Sequence, residues 1–204
     1  MTASEDNPER LLQRARAGDG AARGRLLEAY RGYLTFLARL RLGRRLRGKV
    51  EPSDLVQEAF LEAHRDFDAF RGTSSAELLS WLRQVLAHNL ANQVRRFQGT
   101  RRRDLRLERD LVAELEQSSQ ALARGLAAAQ ASPSHQAEDR EQSVRLADAL
   151  ERLPDDYRDV LLLRHFEGLS FPEVAERLGR SVASVKNVWA RALARLRPLM
   201  EDSP

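Results

Sequence analysis

A chain of 204 residues with 42% hydrophobic content can hold one medium core or two small ones, and 34 basic against 30 acidic residues leave a formal charge of only +4. The lack of cysteine excludes disulfides, thiolate metal sites and a cysteine nucleophile. No stretch approaches the roughly 18 apolar residues of a membrane span, and the opening MTASEDNPER is acidic and polar where a secretory signal is basic and then apolar, so a cytoplasmic protein is expected.

Apolar residues recur at three- and four-residue steps almost throughout, with no alternating period-two segment, which predicts an all-α protein. Helices are expected over residues 8–17 and 20–42, the second carrying Leu26, Leu27, Tyr30, Leu34, Leu37 and Leu40 on one stripe and ending near Gly43. After the turn GRRLRGKVEP, Ser53 can cap a third helix with Leu55, Val56, Phe60 and Ala63 inward and Asp54, Gln57, Glu58, Glu62 and Arg65 outward. A fourth runs from about Ala76 to Phe97, with Leu79, Leu82, Val85, Leu86, Leu90 and Val94 inward. Trp81, Arg83, His88, Asn89, Asn92, Arg95 and Arg96 fall on its other faces.

Composition changes over residues 98–140, where an Arg101–Arg103 run precedes an acidic stretch and then AAAQASPSHQ, the pattern of a flexible linker. Within it RDLRLERDLVAELEQ is either a transient or a docked helix. Four more helices follow at about 140–153, 155–167, 171–178 and 182–197, stopped by Pro154, Gly168, Gly179 and Pro198. Ser170 with Glu173 forms a capping-box pattern, Gly179 suits a left-handed stop and Ser181 can cap the last helix. The expected architecture is therefore two small helical domains, 1–97 and 141–204, joined by linker 98–140, the second domain a helix-turn-helix.

In such a motif the second helix enters the major groove. Val182, Val185, Trp189, Leu193 and Leu196 are placed inward on it, leaving Ser184, Lys186, Asn187, Ala190 and Arg191 for DNA. Asn suits bidentate pairing with adenine, and Lys or Arg suits guanine or phosphate. The same spacing also fits a plain helical hairpin. In the first domain Phe67, Phe70 and Trp81 lie beside Arg71, Arg83, Arg95 and Arg96, a composition that suits stacked, unpaired bases and equally suits core packing, which is favoured for Phe67. Charge is uneven: residues 1–97 carry 17 basic and 12 acidic groups, 98–140 carry 7 of each, and 141–204 carry 10 and 11.

These segments resemble the extracytoplasmic-function (ECF) group of bacterial RNA polymerase sigma factors, with both domains in order. DLVQEAFLEAHRDFDAFRG is similar to the helix that binds the polymerase clamp, WLRQVLAHNLANQVRR to the minus-ten helix, and LPDDYRDVLLLRHFEGLSFPEVAERLGRSVASVKNVWARALARLR to the minus-thirty-five domain. The resemblance implies a clamp-binding surface at Asp54, Gln57 and Glu58. It implies minus-ten contacts from Asn89, Arg95 and Arg96, to which the aromatic and basic cluster adds Phe70, Arg71 and Trp81, and minus-thirty-five contacts from Lys186, Asn187 and Arg191, which Ser184 joins on the outward face of the last helix. The partners it implies are core RNA polymerase, at its β′ clamp and β flap, promoter DNA and an anti-sigma factor. The stretch TSSAELLS is longer than the family's usual loop, and Val188 and Trp189 stand where an arginine and a smaller aliphatic residue are common.

An enzyme is not expected: the chain has no Gly-rich phosphate loop, no HExxH and no Glu-x-x-His, and its four histidines are scattered, so neither cofactor nor metal is called for. Two other classes stay open. A stand-alone helix-turn-helix regulator would bind duplex DNA without polymerase, and a helical scaffold or RNA-binding protein would show no promoter preference.

Overall fold

The computed structural model describes residues 7–45, 50–98, 105–124 and 136–201. Among them the chain is helical and contains no strand, and it divides into two compact units after Ser119.

The first unit opens with α1 (Pro8–Arg16) and α2 (Gly20–Glu28), each started by a side chain that satisfies an otherwise orphaned N–H. The Asn7 side-chain oxygen accepts from Glu9 N at 2.9 Å, and Asp19 accepts from Ala22 N at 2.9 Å. The single helix expected over 20–42 is two: at Ala29–Tyr30 the chain tightens, Tyr30 N donating to Leu27 O at 3.1 Å, and α3 (Arg31–Arg45) begins. The predicted stripe survives the break, since Leu26, Leu27, Tyr30, Leu34, Leu37 and Leu40 are all buried.

Helix α4 (Pro52–Asp66) starts two residues earlier than its sequence suggested, with Glu51 rather than Ser53 at the cap position. Pro52, with φ preset for a helix and no N–H to satisfy, takes the first position, so Ser53 lies inside the helix and does not cap it. A short 3₁₀ turn, Phe67–Ala69, leads toward α5 (Ser75–Gln98). That helix is begun by a reciprocal cap: Ser74 Oγ accepts from Glu77 N at 3.3 Å, and the Glu77 carboxylate accepts from Thr73 N at 2.8 Å and Ser74 N at 3.1 Å. These bonds, that from the Thr73 backbone foremost, hold Glu77 below the ordinary carboxylate range.

The open alternative inside the linker segment is decided here as a docked helix, α6 (Leu105–Ala123), whose residues up to Ser119 belong to the first unit. Leu111, Leu115 and Ser118, spaced on one helical face, are buried.

In the second unit α7 (Gln136–Glu151) packs through Leu146, Ala147, Ala149 and Leu150. Buried Arg158 closes its C-terminal end, donating to the carbonyls of Glu151 at 3.1 Å and Leu153 at 3.3 Å, where a cation also meets the negative end of the helix. Helix α8 (Asp155–Leu161) widens into a π-helical segment, Leu162–Phe166, and Gly168 (φ 73°) turns the chain toward α9 (Phe171–Leu178). Helix α10 (Val182–Glu201) runs past Pro198, its expected stop, because a proline in the last turn forgoes only the one backbone bond its N–H would have made to the carbonyl four residues earlier. Val160, Leu163, Val174, Ala175 and Val185 form the core that holds α9 and α10 together.

Candidate nucleic-acid interface

The geometry of α9 and α10 is set locally. Ser170 and Glu173 form a complete capping box: Ser170 N donates to the Glu173 carboxylate at 2.7 Å, and Ser170 Oγ both donates to that carboxylate and accepts from Glu173 N. The Ser170 side chain and backbone together hold Glu173 below the ordinary carboxylate range. Gly179, at φ 63°, ends α9 in the left-handed conformation that glycine adopts without a Cβ penalty, and its N–H satisfies the last carbonyls. Ser181 Oγ then accepts from Ser184 N at 3.2 Å and starts α10. Arg180 ties the turn to α8 through Asp156 at 2.7 Å.

Helix α10 turns Val185, Ala192 and Leu196 inward and presents Ala183, Lys186, Asn187, Ala190 and Arg191 outward, with Ser184 half-buried. One expected inward residue is not inward: Val182 is 37% exposed, because the first turn of α10 projects beyond the core cluster. Trp189 is partly buried and held on two sides. Its Nε1–H donates to His165 Nε2 at 2.9 Å, the two rings lie nearly parallel, and Phe171 meets it edge-on with centroids 5.5 Å apart. Burial, with the nearby Arg164 cation, lowers the His165 pKa, consistent with a neutral ring that accepts at Nε2.

On the first unit, Asp54, Gln57 and Glu58 all lie on the solvent face of α4. Gln57 accepts from Arg31 at 3.4 Å and Glu58 accepts from Gln93 at 3.2 Å. Their row continues to Leu61, which is 65% exposed and was not singled out from the sequence, although spacings of three and four from Glu58 and Gln57 place it on the same face.

The residues expected at the minus-ten element divide. Arg71 and Arg96 are exposed and Trp81 is half-exposed. Phe70 is buried, its ring 5.2 Å from Trp81 and 6.0 Å from Phe67. Asn89 is also buried, its amide donating to Glu62 at 2.7 Å and to the Val85 carbonyl at 2.9 Å. Arg95 is only 11% exposed and pairs with Glu108 of α6 at 3.2 Å. Phe70, Asn89 and Arg95 therefore have internal partners that helical periodicity could not reveal.

Two helical units, the second a helix-turn-helix with a polar outward face on its second helix, have the architecture of a DNA-binding protein. Residues 26–100 match the family model Sigma-70 region 2, and residues 143–196 match Sigma-70, region 4. The RNA polymerase sigma factor YlaC of Bacillus subtilis is 30% identical over 151 residues, 74% of this chain and 78% of that protein. The ECF RNA polymerase sigma factor SigM of the same organism is 28% identical over 172 residues, covering 84% and 93%. The ECF RNA polymerase sigma factor BldN of Streptomyces coelicolor is 27% identical over 192 residues, covering 94% of this chain and 65% of that protein. A chain of the solved RsbN–BldN complex aligns at 24% identity over 92% of this chain and 98% of its own length, with a TM-score of 0.32. The chain belongs to the ECF group of RNA polymerase sigma factors, and its role lies in transcription initiation. Among the described residues, no helix is long and apolar enough to cross a membrane.

Proposed function

We propose that this chain binds core RNA polymerase, directs it to a class of promoters and favours their melting, while polymerase supplies all bond-making chemistry and the chain needs no cofactor. The observation that carries the reading is the outward face of α10, where Lys186, Asn187 and Arg191 stand exposed on a helix whose orientation is set by the Ser170 box and Gly179. Asn187 pairs with an adenine edge, Lys186 and Arg191 take guanine or phosphate, Ser184 donates to the backbone, and exposed Val182 adds an apolar contact suited to a thymine methyl group.

Residues 1–97 serve polymerase and the minus-ten element, 98–140 connect, and 141–204 read the minus-thirty-five element. Asp54, Gln57 and Glu58 meet the β′ clamp, with Leu61 supplying the apolar centre that an acidic and amide rim alone lacks. The second unit meets the β flap. At the minus-ten element Arg71, Trp81 and Arg96 touch DNA, while Phe70 and Asn89 hold the surface from behind. An anti-sigma factor that masks these surfaces, and a cytoplasmic location, complete the reading.

Run-off transcription tests it directly: purified core polymerase is assayed with and without the chain on a pooled library of upstream regions. Discrete new start sites preceded by two spaced sequence elements are expected. Failure to bind core polymerase, with duplex DNA bound by the chain alone, would instead establish a stand-alone regulator.

A further inference from the structure

Helix α6 rests on the first unit through carboxylates as much as through apolar side chains. Glu108 pairs with Arg95 at 3.2 Å and approaches His88 Nδ1 at 3.7 Å; Glu114 pairs with Arg41 at 3.1 Å; Glu116 pairs with Arg83 at 2.7 Å. Arg41 also reaches the Glu114 carbonyl and Ser118 Oγ, and the Tyr33 hydroxyl donates to Ser119 Oγ at 2.9 Å while accepting from Arg83 at 3.0 Å. The three arginines come from α3 and α5, and each side chain is 11% exposed. Glu108 meets Arg95 near the end of α5 and Glu116 meets Arg83 near its start, so α6 runs antiparallel to α5 and presents a line of negative charge to a line of guanidinium groups.

Such an arrangement is a poor choice if α6 only needs to be held. Partly buried ion pairs give back in desolvation much of what they gain, and apolar residues of the same size would do as well or better. Guanidinium groups, however, exchange carboxylate for phosphate without change of geometry, since both accept the same forked pair of N–H donors. We propose that Arg41, Arg83 and Arg95 form a binding surface for the phosphates of single-stranded promoter DNA, and that α6 occupies it as a built-in competitor until DNA displaces it. The surface adds Arg41 to Arg83 and Arg95, which the sequence already set beside the aromatic cluster, and explains why all three are covered. The competitor is tethered to α5 by only six residues, 99–104, which keeps its local concentration high. The inference rests on the initiation-factor reading, because the displaced state is the one a melted promoter would stabilise.

The test uses the full chain, free of polymerase, and a fluorescent 30-nucleotide single strand. The variant Glu108→Gln, Glu114→Gln, Glu116→Gln keeps side-chain size and removes the three competing charges. It is expected to bind the strand about ten-fold tighter at low salt, with the slope of log affinity against log salt steeper by about 2, from three phosphates at roughly 0.7 each. Adding Arg83→Ala and Arg95→Ala to that variant should abolish most of the gain. Wild-type affinity and slope in the triple variant, or a gain that survives loss of the arginines, would overturn the proposal. Should the variant fail to fold, amide hydrogen exchange over residues 105–119 of the wild-type chain decides: saturating single strand should accelerate it, and unchanged protection overturns the competitor. Run-off transcription by the wild-type chain separates the two levels, since initiation without any of these changes removes only α6 competition, whereas absence of initiation removes the reading beneath it.

Discussion

Gly72→Ala is the substitution whose effect the structure decides most sharply against ordinary expectation. Gly72 does not occupy the left-handed region, so an alanine there would normally stabilise by about 0.4–1 kcal/mol through the unfolded chain. Here a Cβ would lie 2.3 Å and 2.6 Å from two ring carbons of Phe70 and 2.8 Å from Glu77 Cβ. Phe70 cannot yield cheaply, because its ring is buried and fixed against Trp81 at 5.2 Å and Phe67 at 6.0 Å. Glu77 cannot yield either without loosening the cap that starts α5. Overpacking of this kind costs about 1–3 kcal/mol, which outweighs the entropic gain and leaves a net loss of about 1–2 kcal/mol. Urea unfolding followed by Trp81 emission in a Trp189→Phe background measures it, and Phe70→Leu should recover part of the loss in a double-mutant cycle. An unchanged or raised midpoint would refute the reasoning, because it would mean that the aromatic cluster is free to move aside.

Asn187→Ala removes an exposed amide with no structural role, so stability should change by less than about 0.5 kcal/mol, while initiation from cognate promoters weakens by about 1–3 kcal/mol in binding; equal loss on a scrambled upstream element would reassign Asn187 to backbone contact. Asp54→Lys should lower core-polymerase affinity in a pull-down without altering isolated DNA contacts, and unchanged affinity would remove Asp54 from the interface. Glu77 and Glu173 both titrate below their ordinary value of 4.5, so their contribution is complete above that value and is lost as pH falls through the lower folded values. Replacing both with Gln should flatten that acid limb in pH-dependent unfolding, and a limb of unchanged slope would place the responsible groups elsewhere. His165 titrates below its ordinary 6.5, so its contribution is likewise full above 6.5 and falls as acid protonates Nε2 and breaks the bond from Trp189; Trp189 emission should shift over that window, and persistence of the shift in His165→Gln would exclude His165 as its source.

How much of this molecule is legible in its sequence follows from the range of the interactions concerned. The helix-turn-helix could be read almost residue by residue, because Ser170, Glu173, Gly179 and Ser181 act on backbone groups within four residues of themselves. The inward stripes of α3 and α5 follow from the 3.6-residue period for the same reason. Leu61 was legible in principle, since only its spacing from Gln57 and Glu58 places it outward. Local rules misplaced Ser53, where Pro52 competed for the helix start, and Val182, where a correct stripe ran past the edge of the core it should have met. What only tertiary structure decided depends on partners distant in the chain. The burial of Asn89 needs Glu62, the covering of Arg41 and Arg83 needs Glu114 and Glu116, and the docking of α6 needs surfaces on α3 and α5. Sequence alone determined a two-unit helical protein whose second unit carries a helix-turn-helix. Which arginines face solvent and which already hold a carboxylate was settled by long-range packing, because a guanidinium group looks the same in sequence whatever anion lies across from it.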